Sequence, residues 1–190
     1  NKAYLGEVDG LIGDGDHGMN MNKGFTVFED RFKDEDISFT EGLDELGMIL
    51  LNEIGGSMGP IYGTIFMYMA EAGEDLDEIS AADFAEMLEA GLNGLYGIVD
   101  ARVGDKTLVD TLSPAVDVMK KAGETGQDFK EALAEMKAAA EAGRDSTKDM
   151  VAKYGRSSRL GERSRGVLDA GATSCCIILT AMADGIMELL

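Results

Sequence analysis

Apolar residues recur at three- and four-residue spacing along almost the whole chain, and the alternation that marks a strand is nearly absent. Stripes of this kind are buried by packing helix on helix. Spacing and start-stop residues predict eight helical segments: Lys2 to Asp9, Gly18 to Lys33, Ser38 to Ile54, Pro60 to Ala72, Ala81 to Val99, Lys106 to Ala122, Phe129 to Lys153 and Ala170 to Leu189. Ser38 with Glu41, Ser80 with Asp83 and Asp128 with Glu131 read as capping boxes, Pro60 suits a first helical turn, and Gly73 and Gly123 suit helix ends. Pro114 is expected to kink the sixth helix. The predicted fold is all-α, an eight-helix antiparallel up-and-down bundle or barrel. At 190 residues, with no repeat or Pro/Ser-rich linker, the chain suits one domain, residues 1–190. Its first helix begins mid-pattern without an initiator Met, so an upstream stretch is expected.

Consecutive helices with short connections run antiparallel, which sorts the connections between two ends of the bundle. The odd ones hold Asp9 to His17, Gly55-Gly56-Ser57-Met58-Gly59, Arg102-Val103-Gly104-Asp105-Lys106, and a basic segment running through Arg156 to Gly171. The even ones, around Asp34 to Ile37, Gly73 to Ile79 and Gly123 to Gln127, hold ordinary turn and acidic residues. Every chemically unusual loop is thereby assigned to one face.

The first of these loops crowds Asp9, Asp14 and Asp16 among glycines with no Lys or Arg between them. Carboxylates this close repel unless a cation sits among them, and Mg²⁺ is commonly held by carboxylates together with substrate phosphates. A Ca²⁺ loop of the EF-hand type is excluded, because the twelfth residue from Asp14 is Phe25 and the third from Asp9 is Leu11. The remaining alternative is a solvated acidic turn.

Charge narrows the ligand. A net charge of −19 argues against nucleic acid, whose binding needs Lys and Arg to neutralise phosphates. The chain from Arg144 to Arg165 runs the other way, with seven cations against three anions, so a small anionic ligand or an acidic partner surface is expected there. No apolar run is expected to reach transmembrane length and no signal-peptide layout is present, giving the expectation of a cytoplasmic protein with no membrane partner. Cys175 and Cys176, adjacent in an apolar stretch, read as core residues.

The other odd loops suit a nucleotide diphosphate. Glycines at 55, 56 and 59 let backbone N–H groups approach phosphate oxygens, and the helix beginning near Pro60 offers its positive end. Neither a P-loop nor a Rossmann glycine pattern is present. Three aspartates at about −3 and a diphosphate at about −3 against two Mg²⁺ leave about −2, which one or two arginines offset. Arg156 is the candidate, while Arg159, Arg163 and Arg165 read as a solvated face. His17, the only histidine, sits beside carboxylates expected to favour its protonated form, and phosphate or ribose contact is favoured over covalent chemistry. Asn20 and Met21 suit a polar contact and an apolar wall, and Asp105-Lys106 reads as a capped helix start.

Taken together, the chain resembles the nucleotide-binding L subunits of bacterial dihydroxyacetone kinases over almost its full length. The matching segments are Ile12 to Gly18 with Asn20-Met21, Gly55-Gly56-Ser57 with Gly59-Pro60 and Tyr62-Gly63-Thr64, Gly104 to Thr107, and Gly155-Arg156 through Leu160 to Ser164, Asp169 and Gly171-Ala172-Thr173. The resemblance implies an eight-helix barrel holding ADP or ATP and two Mg²⁺ ions at one end. It implies Asp9, Asp14 and Asp16 as metal ligands. His17, Gly18, Met19, Asn20, Ser57, Met58, Gly104, Arg156, Asp169, Ala170 and Gly171 would line the nucleotide, with Arg156 also catalytic. Partners implied are a K subunit carrying dihydroxyacetone and a phosphohistidine donor subunit M that recharges ADP in place. A homodimer, a transcription regulator as partner, and a related short-sugar substrate stand as alternatives. Met58 occupies a position usually small and polar in the family, so only its backbone donor is expected to serve a phosphate.

Overall fold

The computed structural model describes all 190 residues. Eight α-helices form: α1 (Lys2–Ile12), α2 (His17–Phe32), α3 (Phe39–Glu53), α4 (Met58–Ala72), α5 (Ala81–Ile98), α6 (Val109–Thr125), α7 (Phe129–Ser146) and α8 (Ala170–Leu189). Two 3-10 segments, Thr147–Asp149 and Arg156–Ser164, lie between α7 and α8. No strand is present, and the all-α expectation holds. Each helix packs on the next, and α8 also meets α6 and α1, so the order of neighbours closes on itself. One continuous cluster of 32 buried residues fills the middle, with Leu50, Phe84, Met87, Met119, Leu133 and Met136 enclosed.

The caps behave as their chemistry dictates. The Ser38 hydroxyl accepts from the Glu41 N–H while the Glu41 carboxylate accepts from the Ser38 N–H, and Ser80 with Asp83 repeats the arrangement. Asp128 accepts from the Glu131 N–H, satisfying one orphan donor of α7, but the Glu131 carboxylate does not return a bond to the Asp128 N–H, so the expected third box is only half made.

Several boundaries depart from the pattern for visible reasons. Helix α1 runs on to Ile12, which places Asp9 inside its last turn. Helix α4 begins at Met58, two residues before Pro60. Helix α6 starts at Val109 and not at Lys106, because residues 104 to 107 wrap around Asp110, whose carboxylate accepts from the N–H groups of Gly104 and Thr107. It ends on Gly126, whose φ of 67° suits a left-handed cap, whereas Gly123 packs within the helix against Ala82. Helix α7 stops at Ser146, seven residues before the expected Lys153. There the hydroxyls of Ser146 and Thr147 donate to the carbonyls of Gly143 and Arg144, replacing helical partners.

Pro114 sits inside α6 and cannot donate to the carbonyl of Asp110. That carbonyl faces Gly143 of α7, where a Cβ would come within 2.2 Å of it, so the two helices close over the position the proline leaves. Helix α8 is, against expectation, long and apolar enough by length and composition to cross a membrane. It is packed against α1, α6 and α7, with Ala172 to Cys176, Leu179 and Ala183 buried, which explains its composition as that of a core helix.

Phe84 has no exposed surface and its ring centroid lies 5.9 Å from that of Phe129. Phe84→Ala is expected to lower unfolding stability by about 3–5 kcal/mol, read from the denaturant midpoint at unchanged slope.

Candidate functional site

The odd connections, those leading into α2, α4, α6 and α8, converge on one cleft of about 460 Å³. Asp9, Asp14, Asp16, His17, Asn20, Ser57, Met58, Arg156, Asp169, Ala170 and Gly171 all line it. Four helix N-termini therefore face one space, each contributing a partial positive charge, although the N–H groups that open α6 are already taken by Thr107 and Leu108.

The aspartates come together because three local structures meet. Asp9 stands in the last turn of α1, Asp14 in the turn that follows, and Asp16 at the N-cap of α2 with no N–H claimed by its side chain. Carboxylate oxygens of the three lie within 4.8 Å of one another, with Asp9 and Asp16 half-buried and Asp14 exposed. Gly13 is required by this geometry, since a Cβ there would fall 2.1 Å from Asp9 Oδ1. Gly15, with φ of 79°, makes the reversal between Asp14 and Asp16. An all-oxygen, triply acidic donor set of this size fits a hard divalent cation such as Mg²⁺.

Arg156 arrives from the connection between α7 and α8 and ion-pairs with Asp14, its side chain 63% exposed. The preceding Gly155 has φ of 70°, which turns the chain so that Arg156 enters the cleft. Gly55 and Gly56 face open space at the start of α4, and the Ser57 hydroxyl makes no cap bond. A ligand oxygen can approach all three. Ile61, Ile98 and Val99 add apolar walls.

Other expected positions lie elsewhere. Gly59 is buried against α3, where a Cβ would meet the Leu50 carbonyl at 2.5 Å, so it serves helix packing and not phosphate approach. Gly18 likewise lets α2 cross α1, a Cβ there meeting the Lys2 carbonyl at 2.1 Å. Met19 points outward, 57% exposed, and Met21 lies in the core. Gly104 lies outside the cleft lining, its N–H already given to Asp110.

His17 corrects the expected protonation. It is only 6% exposed, its Nε2 lies 2.8 Å from Ser174 Oγ, and Ser174 Oγ lies 2.6 Å from the Tyr62 hydroxyl. Burial pulls its pKa below the usual value, outweighing the opposing pull of Asp9. The imidazole is therefore a neutral strut between the aspartate turn and the core, while its backbone N–H donates to Asp9 Oδ2 at 3.2 Å.

Lys106, expected at a helix start, and Asp169, expected to line the nucleotide, take roles that the sequence pattern did not show. Lys106 is buried within the cleft wall, and Asp169, the N-cap of α8, accepts from the Ala172 N–H at 2.8 Å. Burial raises the Asp169 carboxyl to about 6, opposed by the Ala172 N–H bond and by Lys106.

Residues 11–184 match the family model described as the DAK2 domain. The chain is 37% identical, over 95% of its length and 86% of the relative's, to the ADP-binding subunit DhaL of the PEP-dependent dihydroxyacetone kinase of Escherichia coli (strain K12). It is 36% identical, over 96% of its length and 86% of the relative's, to the corresponding subunit of PEP-dependent dihydroxyacetone kinase 1 of Listeria innocua. A PTS-dependent dihydroxyacetone kinase ADP-binding subunit of Lactococcus lactis is 35% identical over 97% of this chain and 88% of its own length.

Asp14→Asn is expected to weaken Mg²⁺ binding by about tenfold or more with helicity preserved, since it removes one charged ligand from an exposed turn; titration calorimetry beside circular dichroism checks this. For Asp169 the folded-state value, about 6, lies above the unfolded 3.8, so its protonation favours the fold and stability is lost as pH rises through that window. Asp169→Asn retains the capping acceptor and should flatten the loss, on the order of 1–3 kcal/mol, between about pH 4 and 7 in denaturant midpoints.

Proposed function

The chain belongs to the DAK2-domain family, and from that premise we propose that it is the nucleotide-binding subunit of a dihydroxyacetone kinase. In this reading residues 1–190 form a single nucleotide-binding domain that holds ADP or ATP with two Mg²⁺ ions. It passes the terminal phosphoryl group to dihydroxyacetone held on a partner K subunit, and a phosphohistidine protein recharges the ADP. A cytoplasmic setting goes with that partnership. The observation that carries the reading is the meeting, in one cleft, of three clustered carboxylates, four helix N-termini and Arg156.

Each residue then has a defined task. Asp9, Asp14 and Asp16 hold the metal ions, which when bound neutralise phosphate charge and draw electron density from the transferring group. Backbone donors at Gly55, Gly56 and Met58, with the start of α8 at Ala170 and Gly171, receive phosphate oxygens. Ile61, Ile98 and Val99 offer an apolar face for a base. His17 keeps the aspartate turn in register with α8 and is not a phosphoryl carrier, because its Nε2 is engaged with Ser174 in the interior. Arg156, exposed and on a chain segment of its own, supplies positive charge where it develops during transfer.

The test is reconstitution of the chain with a K subunit, the phosphohistidine donor protein, dihydroxyacetone, Mg²⁺ and ADP, following formation of the triose phosphate. Transfer that depends on all components is expected, and its absence in the presence of bound nucleotide overturns the proposal. Arg156→Ala should slow transfer on the order of 10²-fold while ADP affinity changes by less than about threefold; equal losses in both would reduce Arg156 to a binding residue.

A further inference from the structure

Lys106 has three properties that rarely coincide. Its side chain is almost wholly enclosed, at 1% exposure. It is also the one non-glycine residue with positive φ, at 62°, a conformation that costs an L-residue energy and persists where surroundings demand it. Finally, its Nζ donates to two backbone carbonyls, Thr147 at 2.5 Å and Val167 at 2.6 Å.

Those two carbonyls mark the ends of the segment that leaves α7 and returns to α8. One ammonium therefore ties both ends of a strap, residues 147 to 167, at a single point. The strap is also held along its length: the Ala152 N–H donates to Ser164 Oγ at 2.9 Å, and the Gly166 N–H to the Lys148 carbonyl at 2.7 Å. Asp105, beside Lys106 in sequence, pairs with the Lys153 ammonium at 2.5 Å and accepts the Lys153 N–H on its carbonyl at 3.2 Å. On the cleft side of this strap stands Arg156, against Asp14.

We propose that Lys106 is a positioning residue, whose ammonium closes the base of the 147–167 strap and so sets where Arg156 stands over the aspartate cluster. A lysine suits this because a compact ammonium with several donors serves two carbonyls that diverge, and buried Thr147, with no exposed surface, has no water to replace it. Asp169 and Asp110 supply the opposing charge that makes an enclosed ammonium tolerable, while burial itself pulls its pKa below the usual lysine value. The consequence for phosphoryl transfer rests on the kinase reading above, whereas the strap closure does not.

Two variants of the full chain separate the ammonium from the backbone strain: Lys106→Met keeps the stem and loses the donors, and Lys106→Gly loses the donors while suiting positive φ. Amide hydrogen exchange is expected to rise at least about tenfold at Ala152, Lys153 and Gly166 in both variants, with α3, α4 and α5 unchanged. With the K subunit present, kcat should fall about tenfold or more while ADP affinity and KM for the triose-loaded partner stay within about threefold. Unchanged strap exchange in both variants overturns the proposal, as does a rise spread equally over all helices. A loosened strap with undiminished kcat overturns the link to Arg156. If the unaltered chain supports no transfer, the kinase reading fails, and strap exchange alone still decides the role of Lys106.

Discussion

Three carboxylates whose oxygens lie within 4.8 Å of one another repel, and the fold around them has to hold them together against that repulsion. Solvent at the exposed Asp14 and its ion pair with Arg156 lessen that repulsion. The structure holds them there by anchoring each aspartate to a different piece of rigid backbone: the end of α1, the glycine-bounded turn, and the start of α2. Positive ends of four helices and the guanidinium of Arg156 soften the repulsion, and a divalent cation held among the three would lower it further.

Everything around the cleft keeps that arrangement in place. The chain of His17, Ser174 and Tyr62 carries the aspartate turn into the core through hydrogen bonds, linking α2 to α8 and α4. Asp110 gathers the N–H groups of Gly104 and Thr107, so that the connection into α6 is wound tightly and Lys106 is turned inward. Helix-helix packing at Gly18 and Gly59 sets the heights at which α2 and α4 begin, and thus where their N-termini present donors. The longest irregular connection, between α7 and α8, lies at this end, and part of it lines the cleft.

Much of this was readable from the residues. Periodicity and caps located eight helices, and the two serine capping boxes form as their spacing requires, because such interactions are local and three residues apart. Sorting connections by parity was enough to bring Asp9, Asp14, Asp16, Ser57, Arg156 and Asp169 to one end. What local pattern could not show was the use of each polar group within the loops. Lys106 looked like part of a helix start, yet its partners are 41 and 61 residues away in sequence. His17 looked charged beside its acids, yet a serine 157 residues on draws it inside. Gly59 looked like a phosphate glycine because its role in packing depends on the carbonyls of α3.

Sequence alone determined the helical class, the alternation of ends and the chemical character of each connection, since these follow from residue spacing and from charges that neighbouring residues cannot cancel. Tertiary structure alone decided which side chains face the cleft and which are spent on holding it, because burial and long-range hydrogen bonds exist only once α8 and the strap before it have closed against the first helices.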